Sequence, residues 1–107
     1  MPLTRDYRET IYENLQRSSL FRREYLSGAL NGMIDGDFEI GRTALRNYVN
    51  GTLGFTQLGE LMQRSPKSLM RMLSPKGNPQ ARNLFDMIVV LQRHEGVKLE
   101  LRARRAA

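Results

Sequence analysis

The chain has no cysteine, no tryptophan and a single histidine in 107 residues. Each shortage removes a class of function. Without cysteine there is no thiol nucleophile, no thiolate zinc site and no disulfide scaffold, a composition that fits a reducing cytoplasm. With His94 alone, neither a catalytic triad nor a multi-histidine metal centre can be built, and acids paired with a His or Cys at a catalytic spacing are missing. Catalysis, a cofactor and a metal are therefore not expected. Long apolar runs are also lacking. The longest, Met87-Ile88-Val89-Val90-Leu91, falls far short of the roughly 20 residues that cross a bilayer. Arg5, Asp6, Arg8 and Glu9 stand where a signal peptide would carry its apolar stretch, so a cytoplasmic protein is expected.

Positive charge is plentiful. The formal net charge is +6, and it is unevenly placed. Residues 1–34 hold five basic and four acidic side chains, residues 35–54 two and three, and residues 55–107 ten and four. The whole excess thus lies in the C-terminal half, and a localised basic excess points to a polyanion, with nucleic acid ahead of an acidic protein or a membrane surface. A chain of this length buries somewhat over 60% of its unfolded surface, enough for one core without staples.

Apolar residues recur at helical spacing almost throughout, which predicts an all-α fold. Thr4 is placed to cap a first helix carrying Tyr7, Ile11 and Leu15, and Ser19 to cap a second with Phe21, Tyr25, Leu26, Ala29, Leu30 and Met33. Asp35-Gly36-Asp37 supplies turn chemistry, with Asp37 capping a third helix that ends at Asn50-Gly51. A short helix over 56–62 follows, then Ser65-Pro66, a serine cap with proline at the first helical position, opens another that runs to about Leu73. The prolines of Ser74-Pro75-Lys76-Gly77-Asn78-Pro79 stop it. A last helix starts near Gln80 with Leu84, Phe85, Ile88 and Leu91 as its face, and Val97 to Leu101 alternates like one short strand.

Two short helices joined by a tight turn inside the basic half match the arrangement by which a helix-turn-helix inserts its second helix in the major groove. Leu58, Leu61, Leu69 and Leu73 are spaced to meet across the turn, leaving Lys67, Ser68, Met70 and Arg71 outside. A helix start also offers unpaired amides to phosphate, which places Ser65, Pro66 and Lys67 against a DNA backbone, with Lys76 and Asn78 as further backbone contacts and Met70 as an apolar base contact. The plainer alternative is an αα-hairpin whose basic face is only solvated.

The same residues resemble a family. Thr56-Gln57-Leu58-Gly59-Glu60-Leu61-Met62, then Ser65 to Ser74 and Gly77-Asn78-Pro79, together with Tyr25-Leu26, Ala29-Leu30, Asp35-Gly36-Asp37 and Ala44-Leu45-Arg46 upstream, resemble the HigA-like addiction-module antidotes. These are small bacterial type II antitoxins with a lambda-repressor-like helix-turn-helix. The likeness covers about residues 24–101, its most specific part being Leu73 to Pro79. It implies a transcriptional repressor of its own operon, with operator DNA and a RelE-like ribonuclease toxin as partners. Two departures stand out: Gly59 replaces the family's usual alanine, and Gln63-Arg64 replaces its usual glycine and apolar residue at the turn. That substitution would place Gln63, a non-glycine residue, at positive φ.

The resulting division is an N-terminal helical extension over 1–20, a DNA-binding domain over 21–101 and a basic tail over 102–107. Packing of Tyr7, Ile11 and Leu15 on the second helix is favoured over their use in toxin binding. The strand from Val97 to Leu101 would leave a row of backbone groups unpaired, so pairing with a symmetry mate makes Val97, Leu99 and Leu101 the expected homodimer contact. A solitary regulator without a toxin and a protein-interaction module are the rival readings. Other signals are structural. His94 suits a helix C-terminus, Asp35-Gly36-Asp37 lacks the later ligands of a calcium loop, Gly51-Thr52-Leu53-Gly54 lacks the lysine-serine of a phosphate loop, and most methionines fall on or beside apolar stripes.

Overall fold

The computed structural model describes residues 6–106. They form six helices in the order α1 Tyr7–Arg17, α2 Ser19–Ile34, α3 Phe38–Gly51, α4 Gly54–Met62, α5 Pro66–Met72 and α6 Ala81–Glu95. No helix among the described residues is long and apolar enough to cross a membrane.

Side-chain oxygens set most of the helix starts, because the first amides of a helix have no internal partner. Asp6 accepts from the Arg8 amide at 3.0 Å and so caps α1, whereas Thr4, the expected cap, lies outside the described residues. Ser18, not Ser19, caps α2 by accepting from the Phe21 amide at 3.0 Å. Since Ser18 also closes α1, a single residue separates the two helices. Asp37 caps α3 through the Ile40 amide and Ser65 caps α5 through the Ser68 amide, with Pro66 in the first helical position. Gly96 ends α6 at φ +75, in the left-handed region that glycine enters without a Cβ penalty.

The core joins every helix. Leu15 of α1, Leu26 and Ala29 of α2, Leu45, Tyr48 and Val49 of α3, Phe55 and Leu58 of α4, Leu69 of α5, and Leu84, Met87, Ile88 and Leu91 of α6 are buried together with Leu73. The expected stripe on α1 is thus covered in part: Leu15 packs into the core, Ile11 packs beside it, and Tyr7 is exposed. α2 and α3 approach closely at Gly41, where a Cβ would run into the Ala29 carbonyl and the Met33 side chain. Two apolar faces differ from expectation. Phe85 is 62% exposed and Leu61 49% exposed. Phe85 instead borders the concavity between α2 and α6, outside the side of α6 that buries Met87 and Leu91, and Leu61 lies off the side of α4 that buries Leu58.

The C-terminal strand is corrected by the structure. Residues 97–106 carry no regular secondary structure, and no strand occurs among the described residues. The reason is local. The Val97 amide donates to the Gln92 carbonyl at 3.0 Å and the Leu99 amide to Gln92 Oε1 at 2.7 Å, so these donors turn back onto α6 and a lone segment has no ladder to join. Val97 and Leu99 pack on the core while Leu101 is 77% exposed.

Two polar ties lock the helices. Glu95, at the end of α6, accepts from Arg22 Nε of α2 at 2.7 Å and from the Tyr48 hydroxyl of α3 at 3.0 Å, and Arg22 Nη1 donates to the Leu15 carbonyl of α1 at 2.8 Å. Four helices meet in that network. The buried Arg42 of α3 donates to the Leu73 carbonyl just past α5 at 2.6 Å and to Glu39 at 2.7 Å, while its Nε is buried without a partner.

Candidate functional site

The turn between α4 and α5 is the geometric origin of the site. Gln63 adopts φ 56 and ψ 46, and the Arg64 amide donates to the Gly59 carbonyl at 3.0 Å while the Gln63 amide reaches Glu60 at 3.3 Å. This is the bond pattern of a Schellman cap, here with glutamine in the left-handed position that glycine usually fills. Gly59 is what lets the turn close. A Cβ there would lie 2.6 Å from the Arg64 carbonyl oxygen and 3.4 Å from the Pro66 ring. The two departures from the antidote pattern are therefore one structural unit: the missing side chain at 59 admits the turn that 63 and 64 make.

α5 then buries Leu69, with Leu73 following it into the core, against Leu58 of α4. Its outward positions are Lys67, Met70 and Arg71, all exposed, with Ser68 half-buried. Ser65 and Ser68 are occupied with each other, since Ser68 Oγ donates to the Ser65 carbonyl at 2.9 Å and its amide to Ser65 Oγ at 3.1 Å. Pro66 packs toward Gly59.

A hollow of about 300 Å³ opens beside this face, lined by Arg64, Ser68, Arg71, Met72, Lys76, Gly77, Asn78, Pro79 and Asn83. It brings together Ser68, Arg71, Lys76 and Asn78 from the expected set. Ser65, Pro66, Lys67 and Met70 do not line it. No carboxylate lines it either, so three cations share one concavity without a counter-charge, an arrangement suited to an anion. Its wall is fixed by close packing: a Cβ on Gly77 would collide with the Arg71 and Met72 carbonyls, which presses the 74–79 loop against the end of α5.

Two residues of this hollow escaped the sequence reading. Arg64 Nη2 donates to Asn83 Oδ1 at 2.8 Å, joining the α4–α5 turn to the first turn of α6. Arg64 carried a signal, a charge where the resembled family is apolar; Asn83 carried none, because its role depends on a neighbour 19 positions away.

A second concavity of about 480 Å³ lies between α2, α6 and the C-terminal segment. It is apolar, with Ile34, Phe38, Phe85, Val89 and Leu101 exposed around it. Among the described residues no group of three or more His, Cys, Asp or Glu is placed to hold a metal ion. Comparison with protein-family models, with curated proteins and with solved structures gives no match.

Proposed function

We propose that the chain is a sequence-specific DNA-binding repressor, with α4 and α5 as a lambda-repressor-like helix-turn-helix, and that it acts as the antitoxin of a type II toxin-antitoxin module. The observation that carries the DNA reading is the pairing of an apolar underside on α5, Leu69 with the following Leu73, with an exposed basic upper side next to a cation-lined hollow free of acids. A helix so seated offers Met70 and Arg71 to base edges in a major groove together with Lys67, which the sequence alone set against the backbone. It leaves Ser65, Pro66, Lys76 and Asn78 to the flanking backbone, with Ser68 beside them already donating to Ser65. The antitoxin role, its RelE-like ribonuclease toxin and the action on its own operon come from the resemblance to the HigA-like antidotes. Operator binding as a homodimer through Val97, Leu99 and Leu101 rests on the apolar side chains of residues 97–101, of which Leu101 is exposed while Val97 and Leu99 also pack on the core, and it would double a small interface over a palindrome.

Selection of bound duplexes from a randomised library at about 150 mM salt, near physiological ionic strength, tests the reading. A single enriched motif is expected, and a folded Lys67→Ala, Arg71→Ala double variant should lose it. Retained affinity in that variant removes α5 as the reader. Expression of the intact operon tests the toxin: a small basic protein should copurify.

A second reading has one observation in its favour. The apolar groove between α2 and α6 is a surface for a protein partner, which would make the chain an interaction module with a solvated basic face. Absence of any duplex binding together with capture of a partner would select it.

A further inference from the structure

We infer that the hollow between α5, the 74–79 loop and α6 seats one backbone phosphate of the bound duplex, gripped by Arg64, Arg71 and Lys76, with Asn83 as the residue that positions Arg64. The inference rests on the DNA-binding reading above and changes its assignment of roles. Arg71 becomes a phosphate contact, and base readout falls to Lys67 and Met70, which lie outside the hollow.

The chemistry begins with the bond between Arg64 and Asn83. Arginine is a donor at every nitrogen, so the atom of Asn83 that faces it at 2.8 Å has to be the amide oxygen. The amide nitrogen of Asn83 then points the other way with both hydrogens available. The bond uses one Nη2 hydrogen of the guanidinium and leaves four donors in their planar fork, the geometry that matches two oxygens of a phosphate. Asn83 thereby restricts a long side chain that would otherwise be spread over many rotamers.

The rest of the lining agrees. Arg71 and Lys76 face the same space, Asn78 adds a polar group, and no acidic side chain competes for the cations. Among the described residues, none of Arg64, Lys67, Arg71 and Lys76 is held in an ion pair. Donors alone can also read the two acceptors of a guanine edge, so the choice of a phosphate rests on three cations converging on one hollow without a carboxylate. An oxyanion needs donors and positive charge, which is what this surface holds. The open hollow and its place beside the exposed face of α5 suit a phosphate carried on a strand running alongside that helix.

The test uses the full chain and three duplexes: the selected site, the same site with one base pair changed, and a scrambled sequence, each titrated between about 50 and 200 mM salt, a range over which phosphate contacts dominate the change in affinity. Arg64→Ala should weaken all three by the same factor and reduce the slope of log affinity against log salt by about 1. Asn83→Ala should give a smaller equal loss, and the Arg64→Ala, Asn83→Ala double variant should bind no worse than Arg64→Ala, because a positioning residue has nothing left to position. Asn83→Asp, which adds a negative charge to the hollow, should lose more than Asn83→Ala. Lys67→Ala is the contrast, expected to narrow the gap between selected and mutated sites. Loss of discrimination in Arg64→Ala with an unchanged salt slope overturns the phosphate assignment and leaves DNA binding standing. Binding of inorganic phosphate alone, with no duplex bound by the unaltered protein, overturns both.

Discussion

Arg22 and Glu95 stand 73 positions apart in the chain and 2.7 Å apart in the fold. Arg22 comes from α2, and Glu95 closes α6 and takes the Tyr48 hydroxyl from α3 on its other oxygen. One carboxylate thus holds three helices, and Arg22 extends the tie to the end of α1 through the Leu15 carbonyl. Removing it leaves the Arg22 Nε and the Tyr48 hydroxyl without their partner in a partly buried site, while Arg22 keeps only the Leu15 carbonyl. Glu95→Ala should lower stability by about 2 kcal/mol, the scale of hydrogen bonds to a charged group. In a domain of this size that shifts Tm by about 10 °C. Thermal unfolding followed by circular dichroism checks it, and an unchanged Tm would remove the network from the stability argument.

The same network makes stability depend on pH at the alkaline end. Burial, and then the Glu95 carboxylate, push the Tyr48 hydroxyl well above the ordinary tyrosine value, against a small opposing effect of Arg22. Burial also raises Tyr25. A tyrosine whose folded pKa exceeds its unfolded one contributes fully below about pH 10 and loses that contribution as pH rises further, because the unfolded chain ionises first. Denaturation midpoints measured from pH 8 to 12 should therefore fall steeply past about pH 10. Tyr48→Phe should cost about 1 kcal/mol at neutral pH and make the alkaline fall shallower, with Tyr25 responsible for part of what remains.

The α4–α5 turn gives a pair of opposite predictions. Gly59→Ala gains about 1 kcal/mol of helix propensity but drives a Cβ to 2.6 Å from the Arg64 carbonyl. Overpacking against backbone costs about 1 to 3 kcal/mol, so a net loss near 1 kcal/mol is expected. Gln63→Gly removes the left-handed strain at φ 56 and should stabilise the protein by about 1 kcal/mol. Urea denaturation of both variants decides the matter, and a stabilised Gly59→Ala would mean that the turn relaxes freely.

Leu101 offers the cleanest test of self-association. It is exposed, whereas Val97 and Leu99 already cover the core. Leu101→Glu should leave Tm in place and convert a dimer to a monomer in sedimentation at micromolar concentration. Leu99→Glu would confound the two effects by disturbing the monomer. A sedimentation coefficient unaffected by Leu101→Glu would exclude this end of the chain from the contact.

Local chemistry was legible in the sequence. Asp37 and Ser65 cap where their spacing places them, Gln63 takes the positive φ that the altered turn demands, and the chain is helical throughout its regular parts. Neighbouring candidates were harder to separate: Ser18 and Ser19 both suit a cap, and only the path of the backbone chooses between them. Phe85 illustrates a second limit, since hydrophobicity alone does not say which side of α6 meets the core. The ties Arg22 to Glu95, Arg42 to Leu73 and Arg64 to Asn83 were illegible for a third reason. Each joins polar groups, in one case a backbone carbonyl, across long sequence separations, and such pairings have no period. The basic hollow was thus half visible: Arg71 and Lys76 were read from the sequence, whereas the convergence of Arg64 on them and the close fit at Gly77 were not.

The grip of Arg42 on the Leu73 carbonyl bears on how the basic face moves. α5 has seven residues, and isolated helices shorter than about 12 residues barely persist in water. Its permanence therefore comes from Leu69 and Leu73 below it and from the guanidinium that holds its far end. When that contact opens together with the packing of Leu69 and Leu73, the turn, the helix and the 74–79 loop are released as a unit, while α2 and α3 keep their close approach at Gly41. The amides of residues 64–79 should then exchange with deuterium as one cooperative unit, faster than those of α3 and at a common rate. Contacts spread over that whole surface would damp the opening, so a bound partner would register as slowed exchange even at amides it never touches.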